Sequence, residues 1–389
     1  MHFTLAALLP LALAAPVIQP RGAQVIPGSY IVKLKDGASD ATLQNTIKGL
    51  RASPQHTYKA GKFKGFAAKL SAANLDAVRK LPEVEYIEQD AVFTAYDFVT
   101  QDDVPWGLAR ISHRTVNQTS YIYDASSGAG TCSYVIDTGI YVNHTQFEGR
   151  AEWLANFVDS DNTDGNGHGT HVAGTIGGVD YGVAKSTKLY AVKVLSASGS
   201  GTLAGVIAGI DFVAADSKTR NCPKGSVANL SLGGSRSTAV NSAAAAAVKA
   251  GVFLAVAAGN SADDSYWYSP ASEPTVCTVG ATDVADASAW FSNYGELVDI
   301  FAPGVDIESS WIGNPTAKNT ISGTSMASPH VAGLGAYFLG LNAPDVPRTP
   351  EALCAYIHDT ATPGTITDLP SGTFNGIAFN GNPDALKQN

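Results

Sequence analysis

Tyr134-Val135-Ile136-Asp137-Thr138-Gly139 is the stretch on which the fold turns. Its apolar residues are β-branched or aromatic and do not alternate with polar ones. The segment therefore reads as a strand buried on both faces, the habit of parallel sheets covered by helices. The run stops on a carboxylate and then a glycine, so Asp137 stands at the carboxyl end of its strand, the edge at which open α/β sheets present functional side chains. Outward from this point the same alternation repeats. Candidate strands are 132–136, 188–194, 227–231, 252–257 and 276–279, and alanine-rich candidate helices are 202–217, 238–249 and 325–339. Beyond Trp106 the expected class is α/β, a parallel sheet flanked by helices on both faces.

The chain before Trp106 has another character. Residues 1–15 are an apolar run closing on Ala12, Leu13, Ala14 and Ala15, the pattern of a secretory signal peptide. No later stretch stays apolar for the ~20 residues a spanning helix needs, so the product is expected to be secreted, extracellular and free of the membrane. Strand-like runs at 29–34, 65–70 and 84–88 and amphipathic stretches at 41–50 and 72–81 describe a small α+β unit. From 94 to 103 the pattern is lost and Asp97, Asp102 and Asp103 accumulate, which reads as a linker open to proteolysis. The expected organisation is 1–15 signal peptide, 16–95 small domain and 96–389 main domain.

Net charge is −9, but residues 16–95 carry 11 Lys+Arg against 7 Asp+Glu while residues 96–389 carry 14 against 27. An acidic main domain excludes nucleic acid, whose phosphates need a basic surface. It also leaves the basic segment free to dock on it. Four cysteines, Cys132, Cys222, Cys277 and Cys354, lie in the acidic part. In an exported chain an even count predicts two disulfides, with three connectivities open. Sequons stand at Asn117, Asn143 and Asn229. The last falls in an expected core strand and is expected to be unused.

Three polar residues stand in contexts suited to chemistry. Asp137 ends its strand. His168 lies in Asp164-Gly165-Asn166-Gly167-His168-Gly169-Thr170-His171, a glycine-rich turn leading into a helix of small residues, where a second backbone can approach the imidazole closely. Ser325 follows Gly323-Thr324 and opens a helix, so its hydroxyl is presented rather than packed. Serine nucleophile, histidine base and carboxylate orienter are the three roles of nucleophilic acyl transfer. The order Asp, His, Ser separates this chain from α/β-hydrolases, as does the lack of a Gly-x-Ser-x-Gly elbow, and this counts against a lipase or esterase. His171 lacks the His-Glu-x-x-His pattern of a zinc site and is expected to be a packed or hydrogen-bonded helix residue.

These motifs resemble the subtilisin-like serine proteases, and within them the fungal proteinase K branch. The match lies in Val135-Ile136-Asp137-Thr138-Gly139, His168-Gly169-Thr170-His171, Gly323-Thr324-Ser325-Met326-Ala327 and Ala257-Ala258-Gly259-Asn260. The resemblance implies a serine endopeptidase acting on proteins and peptides through an acyl-enzyme, with Asn260 as oxyanion donor. With all four positions intact, a binding protein that has lost catalysis is disfavoured. It implies a substrate strand between Gly199-Ser200-Gly201 and Ser231-Leu232-Gly233. The pocket wall of Leu232, Gly233, Ala257, Ala258 and Gly259 is uncharged, so apolar or aromatic residues are expected before the cut. Leu203 either lines a more distant apolar pocket or packs at its helix start. The resemblance further implies disulfides Cys132 to Cys222 and Cys277 to Cys354, and one structural calcium on Asp299 with backbone oxygens of Pro274 and Val276. A second calcium site does not carry over, because Arg114 and Thr365 replace its ligands; Val172 replaces a cysteine common in the branch. Residues 16–95 resemble an inhibitory, ferredoxin-like prodomain acting on its own chain until cut between Thr94 and Val99. A monomer is the default expectation.

Overall fold

The computed structural model describes residues 14–20, 25–50, 53–92, 98–383 and 385. Residues 1–13 of the expected signal peptide, and 93–97, where most of the expected maturation cut falls, lie outside them. The chain divides into two compact units, residues 1–95 with 342–345 in one and the remainder in the other.

In the first unit the order strand Val25–Leu34, helix Asp40–Gly49, strands Pro54–Ala60 and Phe63–Lys69, helix Ala72–Val78, strand Val84–Ala91 is the βαββαβ pattern of the ferredoxin-like fold. Ser39 and Ser71 cap the two helices by accepting the N–H of Thr42 and Asn74. Leu43 and Val78 pack them onto Val32, Leu34, Phe66 and Ile87 of the sheet. Pro54–Ala60 was not legible because it is a largely exposed edge strand of polar composition. Packing also reaches back into the apolar N-terminal run: Ala15 is 6% exposed, its N–H donates to the Arg79 carbonyl, and Val17–Ile18 adds a parallel strand beside Val84–Ala91.

The central sheet of the second unit has nine strands. These are β1 (Thr131–Asp137), β2 (Ala151–Asn156), β3 (Lys188–Lys193), β4 (Gly225–Leu230), β5 (Val252–Ala257), β6 (Cys277–Thr282), β7 (Ile300–Pro303), β8 (Thr362–Pro363) and β9 (Gly376–Ile377), ordered β8-β9-β7-β6-β5-β4-β1-β3-β2. All neighbours are parallel except β8 and β9. Five helices matter for the site: α1 (His168–Gly177), α2 (Leu203–Asp216), α3 (Thr238–Lys249), α4 (Thr324–Gly340) and α5 (Pro350–Thr360). From β1 the chain builds β2 and β3 on one side and then crosses to β4 on the other. The carboxyl end of β1 is therefore a topological switch point, where such sheets open a crevice.

Strand alternation decides which way Asp137 points. Tyr134 and Ile136 pack with Val206 and Ile210 of α2 and Val240 and Ala244 of α3. Val135 and Asp137 consequently turn to the opposite face, toward α1. There a Cβ on Gly169 would lie 3.2 Å from that of Asp137.

The structure corrects the linker expected at 94–103. Phe98–Gln101 is a strand, paired antiparallel with Tyr121–Asp124, and its β-forming residues find a partner that lies 20 residues downstream. The structure bonds Cys132 to Cys222 and Cys277 to Cys354, and no free cysteine occurs among the described residues. Asn117 and Asn143 are exposed, whereas Asn229 is wholly buried, with its amide engaged by Ser231 and Ser328. No helix of the described residues is long and apolar enough to cross a membrane.

Candidate active site

Asp137 is fully buried at the end of β1, and its Oδ1 accepts the Thr138 N–H at 2.7 Å. His168 is the first residue of α1 and 23% exposed. Its Nδ1–H donates to Asp137 at 2.8 Å to Oδ1 and 3.0 Å to Oδ2. That bond assigns the ring proton to Nδ1 and turns Nε2 to the outside. Burial pulls the imidazole pKa down, but the charge and hydrogen bond of Asp137, helped by Asp164, outweigh it and leave the pKa above the ordinary histidine value of 6.5. Two glycines permit this approach. Gly167 precedes α1 with φ 101°, and any side chain there would run into the Trp311 ring. At Gly169 a Cβ would sit 2.1 Å from the Gly139 carbonyl oxygen.

Ser325 is the second residue of α4, where its backbone N–H has no intrahelical acceptor. Pro329 lies four residues on and has no N–H to bond the Ser325 carbonyl. The Ser231 hydroxyl satisfies that carbonyl at 2.6 Å, and the Ser325 hydroxyl in turn donates to the Ser231 carbonyl at 3.2 Å. The Ser325 hydroxyl is thus directed at the Ser231 carbonyl beyond β4. Asn260 is fixed at one end only. Its Oδ1 accepts both the N–H and the hydroxyl of Thr324 at 2.8 Å, which leaves its NH₂ aimed outward next to the Gly323 to Ser325 turn.

A cleft of about 470 Å³ runs past His168 between Gly199, Ser200 and Gly201 on one side and Ser231, Leu232 and Gly233 on the other. A second recess of about 190 Å³ joins Leu232 and Gly233 to Ala257, Ala258 and Gly259, with Asn260 and Ser325 at its mouth. Leu203, the first residue of α2, is 58% exposed at the cleft rim, so it does not pack at its helix start. His171 is fully buried; its Nε2–H donates to the Ile307 carbonyl at 2.9 Å, and burial holds its pKa down at about 4, which leaves it a structural residue. Sequence reasoning missed Thr324, Tyr268 and Ser269, which line the smaller recess, and Asp164. Only Asp164 had a local signal, an acidic residue just ahead of a helix start.

A second cavity, about 280 Å³, is walled by Pro274, Thr275, Val276 and Asp299. One oxygen of Asp299 accepts the Thr278 N–H at 2.7 Å. Burial pushes this carboxyl up to about 6, an effect that the Thr278 N–H and His358 only partly oppose. A half-buried carboxylate with no ion-pair partner among the described residues, lining a cavity with Pro274, Thr275 and Val276, offers the oxygen chemistry that fits calcium. Cys277 and Cys354 adjoin it but are committed to their disulfide. Where a second calcium was not expected, the Arg114 guanidinium donates to the carbonyls of Thr360 and Ala361.

The comparisons agree with this geometry. The subtilase family model matches residues 128–379, and the peptidase inhibitor I9 model matches residues 29–95. A subtilisin-like serine protease of Sarocladium strictum is 56% identical over 386 residues, covering 97% of this chain and 98% of that protein. A cuticle-degrading protease of Metarhizium anisopliae is 52% identical over 367 residues, 94% of this chain and 93% of its own. The crystal structure of a cold adapted subtilisin-like serine proteinase is similar with TM-score 0.66 and 45% identity, covering 72% of this chain and 98% of that one. The chain belongs to the subtilase family: it is a subtilisin-like serine protease carrying an I9 inhibitor prodomain.

Proposed function

We propose that the enzyme is a secreted endopeptidase of broad specificity in which Asp137, His168 and Ser325 are the catalytic triad and Asn260 the oxyanion donor. The observation that carries this reading is the Asp137 to His168 bond, with His168 lining the cleft and Ser325 and Asn260 lining the recess that shares its Leu232 and Gly233 wall. With substrate in the cleft, the Ser325 hydroxyl leaves the Ser231 carbonyl and gives its proton to His168 Nε2 as its oxygen attacks the peptide carbonyl. Asp137 holds the imidazole and stabilises its charged form. The Asn260 NH₂ and the Ser325 N–H receive the oxyanion. His168 then protonates the leaving amine, and water admitted to the same base hydrolyses the acyl-enzyme.

Substrate would lie extended between Gly199 to Gly201 and Ser231 to Gly233, pairing through main chain, which is indifferent to sequence. Selectivity then falls to the recess of Leu232, Gly233, Ala257, Ala258 and Gly259, whose uncharged lining favours apolar or aromatic residues before the cut. Residues 1–15 would be the signal peptide, 16–95 the autoprocessed inhibitory prodomain and 96–389 the mature enzyme. Asp299, Pro274 and Val276 would hold one calcium, which braces the loop before β6 and takes no part in the reaction. Asn117 and Asn143 are the sequons open to glycosylation.

The test is peptide mapping of the mature protein after a serine-directed sulfonyl fluoride, alongside casein hydrolysis and a panel of tetrapeptide anilides. One adduct on Ser325, loss of casein cleavage and a preference for Phe or Leu over Lys or Glu are expected. Absence of both adduct and cleavage in prodomain-free protein overturns the reading.

A further inference from the structure

Asp164 is 6% exposed in the turn before α1 and performs no step in the mechanism above. Its Oδ1 accepts the Thr138 hydroxyl at 2.8 Å, the Gly167 N–H at 2.8 Å and the Asn166 N–H at 3.1 Å. Its Oδ2 accepts the Thr170 N–H at 2.9 Å and the Thr170 hydroxyl at 2.6 Å. These donors belong to two separate segments. Thr138 follows Asp137 at the end of β1, and the other three residues surround His168 at the start of α1. Both hydroxyls pass the contact on, since Thr138 Oγ1 accepts the Gly169 N–H and Thr170 Oγ1 accepts the Tyr141 N–H, each at 2.9 Å. Strand end and helix start are therefore joined by two hydroxyl bridges, Thr138 to Gly169 and Thr170 to Tyr141, and one carboxylate holds both hydroxyls. On the far side of the same peptide, buried Lys193 donates to the carbonyls of Thr138 at 2.8 Å and Leu195 at 2.7 Å.

We propose that Asp164 is a positioning residue of the protease, acting through Thr138 and Thr170 to hold Asp137 and His168 in hydrogen-bonding register. The inference rests on the reading of those two residues as orienter and base. A neutral helix cap does not require this arrangement. An ionised carboxylate is acceptor-only and can take all five donors at once, whereas an amide, whichever way it turns, sets its NH₂ against backbone N–H groups at the start of α1. The acidic groups acting on His168 are Asp137 and Asp164; His171 on the same helix is uncharged in the neutral range, and Lys193 lies behind Thr138. Asp164 thus acts on the base in two ways, by position and by charge.

The experiment compares Thr138→Val, Thr138→Ser and Asp164→Asn, each expressed as the full precursor and normalised by active-site titration with a serine-directed phosphonate. Thr138→Val is expected to lower kcat by about 10- to 100-fold, the scale of a sub-ångström to 1 Å misplacement. KM should stay within about twofold, since the lost register matters to the reacting pair rather than to binding. Thr138→Ser, which keeps the hydroxyl, restores kcat. Asp164→Asn lowers kcat and moves the acid limb of kcat/KM to lower pH, because one of the charges raising His168 is gone. Wild-type kcat and an unmoved acid limb in Thr138→Val and Asp164→Asn, with only a lower Tm, would make the cluster purely structural and overturn the proposal. If Asp164→Asn does not mature, the Ser and Val variants, which differ at the hydroxyl position, decide alone. Failure of the catalytic reading itself looks different: wild-type protein is then not labelled at Ser325.

Discussion

Gly169→Ala probes the approach on which the site depends. The added Cβ would lie 2.1 Å from the Gly139 carbonyl oxygen, and that atom is backbone, unable to swing aside. Contacts under 3.0 Å are essentially never seen, so the start of α1 and the turn after β1 must separate by about 1 Å. The Asp137 to His168 bond spans the same two segments at 2.8 Å and has no slack to absorb such a shift. A displacement of this size costs on the order of 10²-fold in turnover. Overpacking adds about 1–3 kcal/mol of destabilisation, visible as a lower Tm. The assay is kcat and kcat/KM on a tetrapeptide anilide, corrected for active sites, with Tm measured on the same sample. A folded Gly169→Ala enzyme that turns over at the wild-type rate would show that this close approach does not set the geometry of the pair.

Asp137 and Asp164 hold the His168 pKa above 6.5, and the base works only when neutral; kcat/KM is therefore expected to fall as pH drops through an apparent pKa above 6.5. An acid limb lying below that value in a pH-rate profile would contradict it. Asn260→Ala is expected to lower kcat by about 10²- to 10³-fold with KM little changed, a magnitude known for this donor in subtilisin itself; steady-state kinetics on the same anilide checks it. Calcium chelation is expected to lower Tm and calcium to restore it by mass action, while Asp299→Asn abolishes the response; a variant that still answers to calcium moves the site elsewhere. Ser231→Ala leaves the Ser325 carbonyl without its partner beside Pro329 and is expected to cost about 1–3 kcal/mol of stability, read by thermal unfolding.

The buried strands were legible because a strand covered on both faces needs an uninterrupted run of β-branched or aromatic residues, as in Tyr134-Val135-Ile136. β2 and β7 escaped because Ala151–Asn156 mixes polar and apolar residues and Ile300–Pro303 is four residues long and closes on proline. Phe98–Gln101 read as linker because only its partner at Tyr121–Asp124 makes it a strand. The residue types for acyl transfer, and their order along the chain, were likewise present in local motifs, since each role demands its own turn, strand end or helix start. What no local pattern holds is distance between segments far apart in the chain. The crossover that sets β4 beside β1, the alternation that turns Asp137 toward α1, and the packing that brings Thr324 to Asn260 arise only when the sheet closes. The same is true of the convergence of five donors on Asp164, because its partners are meaningless until strand and helix meet. Sequence determined which groups are available and in what local frame; the tertiary structure decided which of them touch, because that depends on register and packing summed over the whole core.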